Sequence, residues 1–228
     1  KGFLTAAVEQ AGTAAAHGGF LEQALVDNDL AKAKRHAEHI INIVVGEHSL
    51  FFNDWDRSGQ PPENPGDGYG VLVYLEGIVE QSNILSATVA AEPDAAEFLP
   101  LLEKMIVAAN TSHDLSNHAT EIALKIFSTD TDEEAQPLAD EVADSINRSQ
   151  QEIDAAYQAG VDVAELRLFA VQPASTLTPT AEPAQTVTAT TGISLTESTA
   201  ATVTLATVTP TATPIEAAAD QTAEASLE

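Results

Sequence analysis

The sequence predicts an all-α protein: an antiparallel bundle of about five helices with one long Asp/Gly/Pro-rich loop, followed by an extended Thr/Pro/Ala-rich tail. Two observations predict the bundle. Apolar residues recur at helical spacing in five stretches up to about residue 171. Breaks rich in Asp, Asn, Gly or Pro separate these stretches. A third observation predicts the tail, since residues 172–228 contain no Lys, Arg, His, Phe, Tyr or Trp.

Each predicted helix is bounded by a recognisable break. The polar break at 27–29 is short and offers good N-cap residues, so the first two helices should form an antiparallel hairpin. Gly18-Gly19 weakens the middle of the first helix, and Gly160 is expected to end the fifth. The expected helices cover residues 3–26, 30–45, 70–91, 95–127 and 133–159.

Composition divides the chain into a helical bundle domain, residues 1–171, and a low-complexity Thr/Ala/Pro-rich tail, residues 172–228. The bundle domain is long enough to bury a core. The tail has few large apolar groups, so it cannot offset the ordering cost of a core of its own. Such tails are typical of extended spacers or O-glycosylated stalks. Residues 202–209 have β-type composition and could order along a partner.

The charge balance limits the classes of partner. The net charge is −26, which disfavours nucleic acid and favours cations or a basic protein. The chain has no Cys, which excludes disulfides, thiolate metal sites, iron–sulfur clusters and Cys nucleophiles. No apolar run is long enough for a transmembrane segment. No known catalytic motif is present, so we expect no enzyme activity.

A calcium-binding loop is predicted after the second helix. The run Asp54-Trp55-Asp56-Arg57-Ser58-Gly59-Gln60 matches the first half of an EF-hand or dockerin-type loop, with alternating oxygen ligands and a Gly at the sharp turn. The twelfth position is Pro65, where a bidentate Glu should stand, so Glu63 or Asp67 would have to replace it. The alternative is an Asp-rich surface turn. The candidate calcium ligands are Asp54, Asp56, Ser58, Gln60, Glu63 and Asp67.

Three histidines form a second candidate site. His17 and His39 are equidistant from Asn28, the expected turn of the first hairpin, so they should lie at similar heights on neighbouring helices. His36 is one turn from His39 and could join them. Such a group could bind a divalent transition metal or a noncovalent haem. The alternative is that these are surface or core-edge histidines beside a basic strip.

The stretch from His36 to Leu75 resembles a known type of domain. It contains His-Ala-Glu-His-Ile-Ile-Asn-Ile, then the Asp-x-Asp-x-x-Gly loop, then Asn-Pro-Gly-Asp-Gly-Tyr-Gly. This order resembles a secreted helical-bundle domain of filamentous green (Chloroflexus-like) bacteria. The resemblance implies an extracytoplasmic helical bundle and transfers no catalytic residues.

The leading functional hypothesis is a non-enzymatic extracytoplasmic module, structural or accessory, with a calcium-ordered loop. It could be periplasmic, at the cell surface or secreted. The chain begins at Lys1, which a removed signal peptide or a trimmed sequence would each explain. Protein partners could bind the tail or the aromatic side chains of the loop, namely Phe51, Phe52, Trp55 and Tyr69. The alternatives are an accessory subunit on the periplasmic face of a membrane electron-transfer complex, and a His-based metal- or haem-binding bundle.

Overall fold

The computed structural model describes the backbone of residues 2–170, and their side chains apart from 93–94 and 167–170. Within these residues the fold is all-α, with five α-helices, one 3-10 helix and no strand, as predicted. The elements are α1 (Phe3–Val26), α2 (Leu30–Val45), α3 (Val71–Val89), the 3-10 helix (Pro93–Phe98), α4 (Leu99–Ile126) and α5 (Asp132–Ala170). The predicted tail, 172–228, lies outside the described residues.

A tight turn joins α1 to α2. Asn28 adopts the left-handed conformation with φ 57°, which Asn tolerates better than most residues. Asp29 then caps α2, its carboxylate accepting a hydrogen bond from the Lys32 N–H at 3.0 Å. Because the turn is so short, α1 and α2 run antiparallel and in contact, as the sequence predicts.

The core is built from branched aliphatic and alanine side chains of all five helices. Each α-helix contributes at least one large side chain that is fully or almost fully buried, and each such side chain stabilises the fold by roughly 1.5–3 kcal/mol. These include Leu21, Ile41, Leu75, Ile126 and Ile153. Small residues let the two longest helices approach closely. At this α4–α5 interface the buried Ser149 hydroxyl lies 2.8 Å from both the Ser112 and Ser116 hydroxyls, so these polar groups satisfy one another.

The helices keep polar faces toward solvent. On α2, Lys32 and Arg35 are exposed while Ile40 and Ile41 are buried. Within residues 2–170, no helix combines the length and the apolar character needed to traverse a bilayer.

Two helix boundaries differ from the prediction. Gly160 lies inside α5, which continues to Ala170. A Cβ on Gly160 would lie 2.5 Å from Leu4 Cδ1, so this glycine permits close contact between α1 and α5 and does not end the helix. The fourth helix begins at Leu99 and not near residue 95, because a 3-10 helix occupies the preceding residues.

The 46–70 loop connects α2 to α3, and its two ends are held together. Gly46 (φ 78°) and Gly70 (φ 96°) lie backbone to backbone, and a Cβ on either glycine would collide with main-chain atoms of the opposite end. The Glu47 N–H donates a 2.8 Å hydrogen bond to the Gly68 carbonyl. The loop is therefore closed at its base, and the rest of it packs along α2 beside the histidines.

Candidate metal centre

The α1–α2 hairpin brings His17, His36 and His39 together, as the sequence predicts. His17 Nδ1 lies 3.1 Å from His36 Nδ1 and 3.3 Å from His39 Nδ1. Each of the three residues offers one ring nitrogen, and these atoms all lie within 4.8 Å of one another. Three imidazoles from two helices thus place ring nitrogens close enough together to share one ion.

These separations fit a single metal ion. Tetrahedral coordination with metal–nitrogen bonds near 2.0 Å places neighbouring ligand nitrogens about 3.3 Å apart. The distances from His17 Nδ1 to His36 Nδ1 and to His39 Nδ1 lie close to that value. Without an ion, hydrogen bonds can satisfy such a group only partly, since each short contact needs one protonated and one unprotonated nitrogen.

Two of the histidines are held neutral. Burial, followed by the charges of His39 and His36, lowers the pKa of His17 to about 4. Burial, followed by the charges of His39, Lys32 and Arg35, lowers the pKa of His36 to about 4. At neutral pH both rings therefore carry the free lone pair that a metal requires.

An aromatic side chain covers part of the cluster. The ring of Phe20 packs edge-on against His17, with centroids 5.5 Å apart, and lies 5.4 Å from the ring of His36. Phe20 itself is half exposed. His39 is buried, whereas His17 and His36 are only partly buried, so the cluster lies just beneath the surface.

The buried histidine is also bonded to the 46–70 loop. His39 Nε2 lies 3.2 Å from a carboxylate oxygen of Glu63. Its two ring nitrogens thus face different partners, Nδ1 facing His17 and Nε2 facing Glu63. A carboxylate on the outer nitrogen is a common arrangement around metal-bound histidines, because it fixes the tautomer and the ring orientation.

Asn42, fully buried one turn after His39, holds the same part of the loop. Its Nδ2 donates to the carbonyls of Asn53 (3.2 Å) and Glu63 (3.0 Å), and its Oδ1 accepts from the Asn53 N–H. The Asn64 side chain donates in turn to the Asn42 carbonyl at 2.9 Å. One asparagine therefore fixes both ends of the segment 53–64.

A second cluster consists of Glu38, Asp54 and Asp56, with one oxygen from each within 4.8 Å of the others. Glu38 is buried and accepts the Asp56 N–H at 3.0 Å. Burial raises its pKa, although hydrogen bonds from the Asp56 and Glu63 backbones act in the opposite direction. Asp54 accepts hydrogen bonds from the Ser58 and Gly59 N–H groups, which folds the turn around its carboxylate.

The predicted calcium ligands do not all meet at this cluster. Asp54 and Asp56 lie together, and the Ser58 hydroxyl accepts the Gln60 N–H within the same turn. Glu63 instead bonds His39. Asp67 lies farther along the loop, where it accepts the Tyr74 hydroxyl at 2.6 Å and its own N–H donates to Gln10. The third carboxylate beside the Asp pair is Glu38 of α2.

The loop aromatics divide into packed and exposed residues. Trp55 stacks on Phe127 with centroids 6.4 Å apart, and its Nε1–H donates to the Phe51 carbonyl. Leu50, Phe51 and Tyr69 are largely exposed. Trp55 therefore anchors the loop on the end of α4, while Leu50, Phe51 and Tyr69 face solvent.

Sequence reasoning missed Glu38 and Asn42. Glu38 is adjacent to His39 in the sequence and points to another face of α2, and the 46–70 loop covers that face. Asn42 interrupts the apolar run 40–45. A lone Asn in the buried stripe of a helix needs buried hydrogen-bond partners, and that signal could have identified it.

Comparisons with protein-family models, with curated proteins and with solved structures found no match to this chain. The resemblance to the secreted domain of filamentous green bacteria stays a prediction. Function is therefore inferred from the geometry of the two clusters.

Proposed function

We propose that this protein is a metal-binding helical module in which His17, His36 and His39 bind one transition-metal ion. The supporting observation is that His17 Nδ1 lies 3.1 Å from His36 Nδ1 and 3.3 Å from His39 Nδ1, separations close to those between two ligands of one tetrahedral ion.

The ligand chemistry indicates the class of ion. Neutral imidazoles suit zinc, copper, nickel or iron, whereas calcium and magnesium prefer oxygen ligands. Two of these histidines cannot serve as the two axial ligands of one haem, because such ligands lie on opposite faces of the macrocycle and these nitrogens are about 3 Å apart. A single ion held by three histidines keeps one further coordination position for water or another ligand.

We propose a structural or accessory role for the ion, in which it joins α1 to α2 and, through the hydrogen bond between His39 and Glu63, to the 46–70 loop. The Glu63 carboxylate bonds the outer nitrogen of His39 and does not face the ion, so it is not placed as a general base.

Zinc and copper binding test this proposal. Protein prepared without chelators, loaded with Zn²⁺ or Cu²⁺ and desalted, should retain one equivalent by elemental mass spectrometry. His36→Asn should weaken binding by roughly 100-fold or more, because it removes a direct ligand rather than an outer-shell partner. His113→Asn, which changes a histidine outside the cluster, is the matched control and should bind like the wild type. The proposal would be overturned if His36→Asn and His113→Asn bound metal equally well, or if the wild type retained no metal.

A second candidate function is a calcium-ordered loop, favoured by the position of buried Glu38 beside Asp54 and Asp56. These carboxylates are the hard oxygen ligands that calcium prefers, and the D-x-D-x-S-G pattern supplies the turn. The same preparation loaded with Ca²⁺ tests it. One retained equivalent that Asp54→Asn abolishes would support it, and retention by Asp54→Asn as by the wild type would exclude it.

We further propose that the module is extracytoplasmic and acts with a protein partner. The Thr/Pro-rich tail composition, the net charge of −26 and the exposed Leu50, Phe51 and Tyr69 support this placement. An accessory subunit on the periplasmic face of a membrane electron-transfer complex is the alternative, in which the acidic surface meets a basic subunit. Cell fractionation followed by co-purification from the native host distinguishes these from a free cytoplasmic protein.

A further inference from the structure

We infer that Glu63 is a positioning residue that links metal binding by the three histidines to closure of the loop segment 53–64. This role rests on the proposed metal site. It adds a consequence that the site alone does not have: the loop and the ion stabilise each other.

Glu63 determines which nitrogen of His39 faces the ion. Its carboxylate can only accept a hydrogen bond, so the proton of a neutral His39 ring is held on Nε2. The lone pair of His39 is thereby left on Nδ1, which lies 3.3 Å from His17 Nδ1 at the centre of the cluster. The Glu63 charge also makes the ring a stronger donor of electrons to a metal.

The same residue belongs to a segment that α2 already holds at other points. Asn42 bonds the Glu63 carbonyl and both the N–H and carbonyl of Asn53. Glu38 accepts the Asp56 N–H. His39 adds the contact that depends on the metal, because an ion on Nδ1 withdraws charge from the ring and strengthens its Nε2–H as a donor to Glu63.

The consequence is reciprocal. If the closed loop raises metal affinity by some factor, the metal must favour the closed loop by the same factor. Arg57 reports on closure, because it is exposed in the middle of the segment and trypsin cleaves after it. Metal binding should therefore slow cleavage of the Arg57–Ser58 bond.

The experiment compares the full-length wild type with Glu63→Ala, Glu63→Gln and Glu141→Ala. Glu141 is the matched control, since its carboxylate lies 2.8 Å from His118 Nε2, a pair of the same kind away from the cluster. Zinc affinity is measured by competition with a chromophoric chelator, the His39 tautomer by ¹⁵N NMR of the metal-free protein, and loop closure by the rate of tryptic cleavage after Arg57. A free peptide substrate corrects for any effect of zinc on trypsin.

We expect Glu63→Ala to weaken zinc binding roughly 10- to 100-fold, the range typical of outer-shell partners. It should also give mixed tautomers of His39 and remove zinc protection of Arg57 even at saturating zinc. Glu63→Gln, which can still accept the hydrogen bond, should restore the tautomer and part of the affinity. Glu141→Ala should match the wild type in every measurement.

The two proposals fail in different ways. If the wild type binds zinc and Glu63→Ala binds it as Glu141→Ala does, or keeps full protection of Arg57, the role of Glu63 is overturned and the metal site stands. If the wild type binds no zinc, both the metal site and the linkage are overturned.

Discussion

His17 and His36 are neutral at pH 7 in the folded bundle because burial opposes their protonation. In an unfolded chain the same rings titrate near their ordinary pKa of 6.5. Because of this difference in pKa, each of the two histidines makes the free energy of unfolding of the metal-free protein depend on pH. The sign follows from proton counting: between these two pKa values, the unfolded state binds more protons than the folded state.

We therefore predict that the free energy of unfolding of the metal-free protein falls as pH drops below about 6.5. The loss of stability that these histidines cause should be complete near pH 4. Above pH 6.5 they should contribute no pH dependence to the free energy of unfolding. Urea denaturation at a series of pH values measures it, with the double variant His17→Asn/His36→Asn as reference.

Carboxylates such as Glu38, whose pKa is raised by burial, titrate in both proteins and cancel in the difference between them. The wild type should lose more stability than the double variant between pH 6.5 and 4. Equal losses would show that the two rings are not kept neutral by the fold.

The histidine cluster could be predicted from sequence, whereas its partner Glu63 could not. A turn of known position fixes the register of two antiparallel helices, so His17 and His39 had to face each other. The position of Glu63 depends on the path of a loop, which Asn42 and Glu38 determine through contacts between residues distant in sequence. No local pattern carries that information.

Among the structural elements, the 46–70 loop depends most on single backbone positions. Both Gly46 and Gly59 have positive φ, 78° and 75°. A Cβ on Gly46 would overlap the Tyr69 carbonyl, while a Cβ on Gly59 would meet nothing within 4 Å. Comparing alanine substitutions at Gly46 and Gly59 therefore separates the cost of conformational strain from the cost of a steric clash at the base of the loop.

We predict that Gly59→Ala costs about 1–2 kcal/mol, the usual penalty for a left-handed residue with a side chain. Gly46→Ala should cost clearly more, because the main chain of residues 69–70 must move and the loop base must open. Thermal or urea denaturation of the two variants gives the comparison. Similar losses for both would mean that contact between the loop ends contributes little to stability.

Helix boundaries could be predicted from the sequence wherever a capping or helix-ending residue marks the break. Asp29 caps α2 and Gly46 ends it, and both boundaries agree with the structure. Gly160 misled the prediction because a glycine has two uses, ending a helix or allowing close packing. Only the position of Leu4 on α1, more than a hundred residues earlier, decides between them.

For the molecule as a whole, the net charge of −26 complicates any test with metal ions. A strongly acidic surface attracts all cations weakly, and screening by salt reduces repulsion within the folded state. A specific site differs from this background, because its stabilising effect depends on particular residues and saturates with the dissociation constant of one ion.

We predict that Zn²⁺ at about 100 times its dissociation constant raises the free energy of unfolding by about 2.7 kcal/mol, if it binds the folded state alone. For a domain of this size each kcal/mol raises Tm by roughly 2–4 °C, so the total shift should be about 5–10 °C. Differential scanning calorimetry at fixed ionic strength measures it. His36→Asn, which should bind zinc roughly 100-fold or more weakly, should gain at most about 0.4 kcal/mol, a shift of about 1–2 °C. His113→Asn should show the full shift, while added NaCl should act alike on all three proteins. A zinc shift of the same size in His36→Asn would mean that the ion binds the acidic surface in general, and that the three histidines converge for packing alone.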